Sequence, residues 1–295
     1  MVELRAVATD TDFEAWRRVR LAVLPNERAA TVAEMRAQLE VEPDRVFLLA
    51  LQDADVVGSG LVGRSSVGGA GVHPRVLPDR RRRGVGRVLL DALEEHARRQ
   101  GYRDAVSLVE DDESHAWAVR RGYAEVQRQV EQVRELAPDE PAPPPRADVE
   151  VVSIADRPEL LRDVFPVAEQ GYADLATFRP VTVTLEEWLR EEATIPGGSL
   201  VALAGGEVVG YTGLIHDAGS PERAEDGLLV VRRDWRGRGL AMYLKRAKLA
   251  WAATHGIRRV VTWTQEANVS MRAVNERLGY VEGTVSRTMR RDLRR

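Results

Sequence analysis

Cysteine is absent from the 295 residues. That excludes disulfides, thiolate metal sites and a cysteine nucleophile, and it fits a cytoplasmic location. Long apolar runs are missing too. No stretch approaches the ~18 residues that would span a bilayer, and the polar start of the chain is unlike a signal peptide, so no membrane partner is expected. Histidine is scarce: the five (His73, His96, His115, His216 and His255) are scattered without ligand-like spacing, so no metal site is expected. A strong net charge is also lacking, because 46 acidic residues offset 43 Lys and Arg to leave −3. Nucleic-acid-binding domains are usually strongly basic. The run Arg80–Arg83 is therefore not read as a nucleic-acid contact.

What is present is a Gly/Arg stretch between a buried-strand pattern and an amphipathic helix. Gly227–Val231 is a short apolar run, followed by Arg232-Arg-Asp-Trp-Arg-Gly-Arg-Gly-Leu-Ala241. Leu240, Tyr243, Leu244, Ala247 and Trp251 then fall at helical spacing as one apolar stripe. A strand, a glycine-rich turn and a helix start together aim backbone N–H groups at one point, where a phosphate binds. The pattern recurs. Gly84 precedes Gly239 by 155 residues, and the same offset pairs Val76 with Val231, Arg81 with Arg236 and Arg83 with Arg238. A period this long means two whole domains, not a solenoid. The first cradle comprises Val76, Arg81, Arg82, Arg83, Gly84, Val85, Gly86 and Arg87. The second comprises Val231, Arg236, Gly237, Arg238, Gly239, Leu240 and Ala241.

Each half reads β-α-α-β-β-β-α-β-α-β, an α/β domain around a mixed, mostly antiparallel sheet flanked by helices. Thr31 with Glu34, and Thr184 with Glu187, are capping-box helix starts. Residues 138–147, rich in proline, form a stiff linker between domains 1–137 and 148–295. The first cradle is not a dinucleotide fingerprint, because Leu89 stands where a third glycine belongs, and a nucleotide P-loop is disfavoured because no Gly-Lys-Ser/Thr follows.

Arg81-x-x-Gly84-x-Gly86 and Arg236-x-x-Gly239-x-Ala241 resemble the acyl-CoA loop of the GNAT superfamily of N-acetyltransferases. Asn268-x-x-Met271-x-x-x-Asn275-x-x-Leu278-Gly279-Tyr280 is similar to that family's next helix. The resemblance spans nearly the whole chain and implies a tandem acyl-CoA N-acyltransferase. Acetyl-CoA, with Asn268 among its contacts, would donate to a primary amine of a small molecule, in a monomer (a pseudo-dimer of domains) or a homodimer.

The family often carries a catalytic carboxylate on the strand before the cradle. Glu225 and Asp226 occupy it here, and strand alternation lets only one face the cleft. Asn275 stands where many members have a tyrosine acid. The first half has no carboxylate before Val76 and no Asn-x-x-Met helix, so it is expected to be structural or degenerate, with catalysis in the second. A non-catalytic acyl-CoA-binding protein, or acetylation of a protein or peptide amine, are the alternatives.

Overall fold

The computed structural model describes residues 1–25, 30–175, 177–217 and 220–294. Several of its helices begin where short polar side chains satisfy the open N–H groups. Thr9 caps α1 (Asp10–Val23) with Asp12 closing the box, Thr31 and Glu34 do the same for α2 (Val32–Val41), and Asp111 caps α4 (Asp112–Arg120). α3 (Val85–Arg99) is different: its N-cap is Gly84, at φ 82°. The strands of this half are β1 (Glu3–Ala6), β2 (Val46–Gln52), β3 (Asp55–Arg64), β4 (Ala70–Val76), β5 (Asp104–Val109) and β6 (Ala124–Glu135).

The second half repeats the order with β7 (Glu150–Ser153), α5 (Leu160–Ala173), α6 (Leu185–Glu191), β8 (Leu200–Ala204), β9 (Glu207–His216) and β10 (Arg223–Val231). It ends with α7 (Leu240–Thr254), β11 (Arg259–Gln265), α8 (Val269–Arg277) and β12 (Val281–Asp292). Thr184 and Glu187 form the capping box of α6, as expected. The expected element order is found in both halves. Acceptor choice is expected to depend on the loops around 26–36 and 165–180, and of these residues 26–29 and 176 lie outside the described residues.

The chain divides into two compact units, but not at the proline-rich segment. The first is Met1–Gln127 with Ser286–Arg295, and the second is Arg128–Val285. Both crossings fall inside strands. Residues Arg287–Asp292 of β12 pair antiparallel with β5 in the first unit, and Gln129–Glu135 of β6 pair antiparallel with β11 in the second. The last strand of each sheet therefore comes from the other half of the sequence. The first unit's sheet runs β1-β2-β3-β4-β5-β12, and the second's runs β7-β8-β9-β10-β11-β6. Each holds one parallel pair, β4–β5 and β10–β11.

Helices cover both faces of each sheet. In the first unit Phe13, Trp16 and Met35 pack on Phe47, Leu49 and Leu51, while Leu89, Leu90 and Leu93 of α3 fill the opposite face. In the second, Leu160, Val164, Val167 and Trp188 pack on Val201, Leu203, Tyr211 and Val230. Leu240, Leu244 and Leu249 of α7 cover the other face with Val209, Val231 and Val260. Trp188 is core, its indole N–H donating to Leu161 O at 2.8 Å.

The buried face of α7 is rotated from the expected stripe. Leu240, Leu244, Lys245, Lys248, Leu249 and Ala252 are buried, and Tyr243, Ala247 and Trp251 are only partly so. The rotation puts two lysines in the interior. It happens because one carboxylate and several neutral dipoles await them there.

Candidate active site

The two cradles share one backbone device. Position 82 of the first and 237 of the second are both left-handed, as Arg82 (φ 63°) and Gly237 (φ 74°); two residues on, so are Gly84 (φ 82°) and Gly239 (φ 76°). A left-handed residue in such a turn swings successive N–H groups to one side and makes an anion-binding concavity. Gly237 and Gly239 adopt it without Cβ strain, whereas Arg82 pays ~1–2 kcal/mol. Arg82 is held there by Glu113, at 2.7 Å.

The arginines divide into two groups. Arg236 turns back, donating to Val231 O at 2.9 Å and pairing with Asp174 at 2.6 Å. Arg81 does the same more loosely, toward Val76 O at 3.5 Å and Glu113 at 3.4 Å. These two tie each loop to the end of its strand. Arg238 lies over the Trp235 ring at 4.6 Å and donates to Asp234 O.

Sequence reading missed Arg146, at the end of the proline-rich segment. Its guanidinium reaches Arg238 O at 2.9 Å, pairs with Asp148 and lies 5.8 Å from the Tyr243 ring. Nothing in a linker pattern marks such a residue. Val85 and Leu240 are buried under their helix starts, and Arg87 pairs along the helix with Asp91. In the first unit the loop opens on a cavity of about 390 Å³, bordered by Arg80, Arg81, Arg82, Arg87, Arg120 and Arg121.

Beside each loop the parallel strands part. β10 and β11 pair only over Arg223–Glu225 with Arg259–Val261, and β4 and β5 only over Ala70–Gly71 with Ala105–Val106. Among the described residues, nothing pairs along that edge with the remaining lengths of β10 and β4, which run up to the loops. Which groups lie on that edge follows from antiparallel alternation. Arg232 N bonds Val209 O, so Val230 bonds β9 while Leu229 and Val231 turn away; Leu77 N bonds Val57 O, so Pro74 and Val76 turn away. Leu229 therefore offers an N–H to an extended ligand. Pro74, its equivalent 155 residues earlier, has none. β10 also carries a bulge between Asp226 and Leu229, while the β3–β4 ladder is regular.

The residues singled out for chemistry have distinct settings. Asp226 points inward, its carboxylate paired with Lys245 at 2.8 Å and Lys248 at 2.6 Å, and accepting from Tyr280 Oη at 2.9 Å. Burial raises its proton affinity, but the two ammonium groups outweigh burial and hold the carboxyl down at about 2. Glu225 is half-buried where β10 pairs with both Ile215 and Val261. Asn275 is fully buried, donating to Gln132 Oε1 at 2.7 Å and Thr264 Oγ1 at 3.3 Å while accepting from Lys245. Asn268 is the N-cap of α8, accepting from Met271 N at 3.2 Å.

A second buried carboxylate went unnoticed in the sequence. Glu192, just past α6, accepts from Tyr211 Oη at 3.0 Å and from Leu228 N, in the β10 bulge, at 3.2 Å. Gly213 and Gly227 leave the space it fills, since a Cβ at either would collide with its Oε1. Burial pushes this carboxyl up to about 7, against the pull of those donors and of Lys248.

Two α/β units, each with a parallel strand pair that opens beside a glycine-arginine loop at a helix start, make this a tandem acyltransferase. The acetyltransferase (GNAT) family model matches residues 10–123 and 159–280, and the chain belongs to that family; it is an acyltransferase. A mycothiol acetyltransferase from Geodermatophilus obscurus is 27% identical over 92% of this chain and 93% of its own length. Among solved structures, a GCN5-related N-acetyltransferase from Sphaerobacter thermophilus superposes with TM-score 0.78 at 19% identity, covering 99% of this chain and 96% of that one. A tandem GNAT protein from the clavulanic acid biosynthesis pathway superposes equally well, at 22% identity and 99% coverage of both chains. Among the described residues, no helix is long and apolar enough to cross a membrane and no cluster of His, Asp or Glu could hold a metal.

Proposed function

We propose that the second unit transfers an acetyl group from acetyl-CoA to a primary amine of a small molecule, and that the first unit holds its ligand without transferring from it. The observation that carries this reading is the contrast between Leu229 and Pro74 on otherwise matching free edges. The acyl-bearing arm of coenzyme A contains two amides and binds an open strand edge as an added strand would. The second unit offers the N–H for that pairing next to a bulge that exposes the thioester end. The first keeps the anion cradle and loses the donor. A relative named as a mycothiol acetyltransferase favours a small acceptor over a protein.

In the second cradle the backbone N–H groups of Gly237–Ala241 would face the pyrophosphate, with Arg238 and Arg146 adding charge at its rim. Charge-assisted hydrogen bonds of this kind contribute ~1.5–3 kcal/mol each. The test is thiol release from acetyl-CoA in the presence of amino sugars, diamines and aminoacyl amines. Release that depends on the added amine supports the reading. Binding of acetyl-CoA without release for any amine would instead favour a non-catalytic binding protein.

A further inference from the structure

We infer that Glu192 is the catalytic residue that takes the proton from the attacking amine. This rests on the acetyl-transfer reading of the second unit and adds to it the identity of the base.

Position is the first argument. Between the pyrophosphate and the sulfur, the arm of coenzyme A has about twelve covalent bonds, the backbone of about four residues, so it reaches ~14 Å when extended. Four residues back from Val231, where Arg236 ties the cradle to β10, is Gly227. The thioester of an arm lying along the free edge therefore ends at the bulge, where Glu192 accepts from Leu228 N.

The second argument is how the carboxylate is housed. Glycines on two adjacent strands, Gly213 of β9 and Gly227 of β10, together leave the space for one side chain from a third element. Tyr211 of β9 donates to it, Tyr172 of α5 and Lys248 of α7 interact with it electrostatically, and Glu191 is its neighbour in sequence. A carboxylate so enclosed, with a proton affinity near neutrality, is suited to accept a proton at working pH.

The remaining carboxylates of the strand are less suited. Asp226 is fixed on the opposite face by Lys245 and Lys248, and Glu225 lies where β10 is paired on both sides. The step balances without another reactant. The amine nitrogen bonds to the thioester carbon, the carbon–sulfur bond breaks, the nitrogen's proton passes to a Glu192 oxygen, and the departing thiolate is protonated by solvent.

The experiment measures amine-dependent thiol release from pH 5.5 to 9, using the best amine of the panel, for the full-length wild type, Glu192→Gln and Tyr211→Phe. Melting temperatures are recorded alongside. Gln retains an oxygen for Leu228 N and Tyr211, so the slot stays filled. Expected for Glu192→Gln are a loss in kcat of about 10²- to 10⁴-fold, an unchanged KM for acetyl-CoA, and disappearance of the acid limb near pH 7. Its melting temperature at pH 8 should be equal or higher, which a merely structural carboxylate would not give.

Tyr211→Phe removes a hydrogen bond that favours the ionised form and should move the acid limb upward. If Glu192→Gln does not fold, that movement decides alone. A folded Glu192→Gln enzyme with near wild-type kcat or the same acid limb overturns the assignment, as does an unmoved limb in Tyr211→Phe. No turnover by the wild type with any amine overturns the acetyl-transfer reading and the assignment together, whereas wild-type turnover unaffected by Glu192→Gln sinks only the latter.

Discussion

Asp226 and Glu192 are both buried carboxylates of one unit, and their proton affinities move in opposite directions. For Asp226, two ammonium groups overcome burial, and the folded value of about 2 lies below the ordinary 3.8. Its stabilisation is present above pH 3.8 and is lost as pH falls through 2. For Glu192, burial wins, and the folded value of about 7 lies above the ordinary 4.5. The sign is reversed: stability is greatest below 4.5 and declines as pH rises through 7. From a shift of that size the penalty at pH 8 is ~3 kcal/mol. Urea titrations of Glu192→Gln and wild type should therefore diverge in the mutant's favour between pH 5 and pH 8. Asp226→Asn should do the opposite, leaving Lys245 and Lys248 buried without their counter-charge at a cost of ~3–5 kcal/mol, read as a lower denaturation midpoint at pH 7. Asp226 could be singled out from the sequence by its place before the cradle. Its lysines could not, because helical periodicity counts a lysine as solvent-facing until a buried partner is known. Glu192 had no signal at all: it ends a short helix, and the space it needs comes from glycines on two other elements.

At the scale of elements, the cradles were the most legible part of the chain, because left-handed backbone at two alternate positions constrains residue type. Gly84, Gly237 and Gly239 obey that constraint, and Arg82 breaks it with help from Glu113. Gly239→Ala should lose ~1–2 kcal/mol of stability from strain at φ 76° and distort the N–H groups aimed at the anion. A lower melting temperature and a loss of acetyl-CoA affinity by calorimetry check both effects. The free edges were not legible, since which N–H turns outward depends on pairing register. Pro74 stood in plain view, but its consequence appears only once Leu77 N is seen to bond Val57 O. Pro74→Leu, made in the Gly239→Ala background so that the second cradle is weakened, should raise acetyl-CoA affinity at the first. An unchanged titration would mean that something other than the missing donor separates the two sites.

At the scale of the molecule, the duplication was readable and the exchange of last strands was not. β6 and β12 stand at the same place in each repeat and carry similar patterning, so either satisfies the alternation that a neighbouring β5 or β11 requires; sequence spacing cannot choose between them. The exchange explains why the proline-rich segment, a natural place to cut, is not a boundary between folding units. The first unit needs Arg290 for Asp104, at 2.7 Å, and Arg291 for Glu94, at 2.9 Å. Glu94 is only 2% exposed, accepts from Tyr123 Oη, and among the described residues would otherwise depend on Arg98 alone for charge. Removing one partner of a buried ion pair is more damaging than never having had the pair. A chain ending at Val285 should therefore unfold its first unit at a clearly lower temperature while the second keeps its transition, and Arg291→Ala should reproduce part of that loss. Residues 148–295 alone lack Gln129–Glu135, the strand that pairs with β11, and should show no cooperative transition. If 148–295 instead melts sharply and binds acetyl-CoA as the full chain does, then Gln129–Glu135 is dispensable to the second unit.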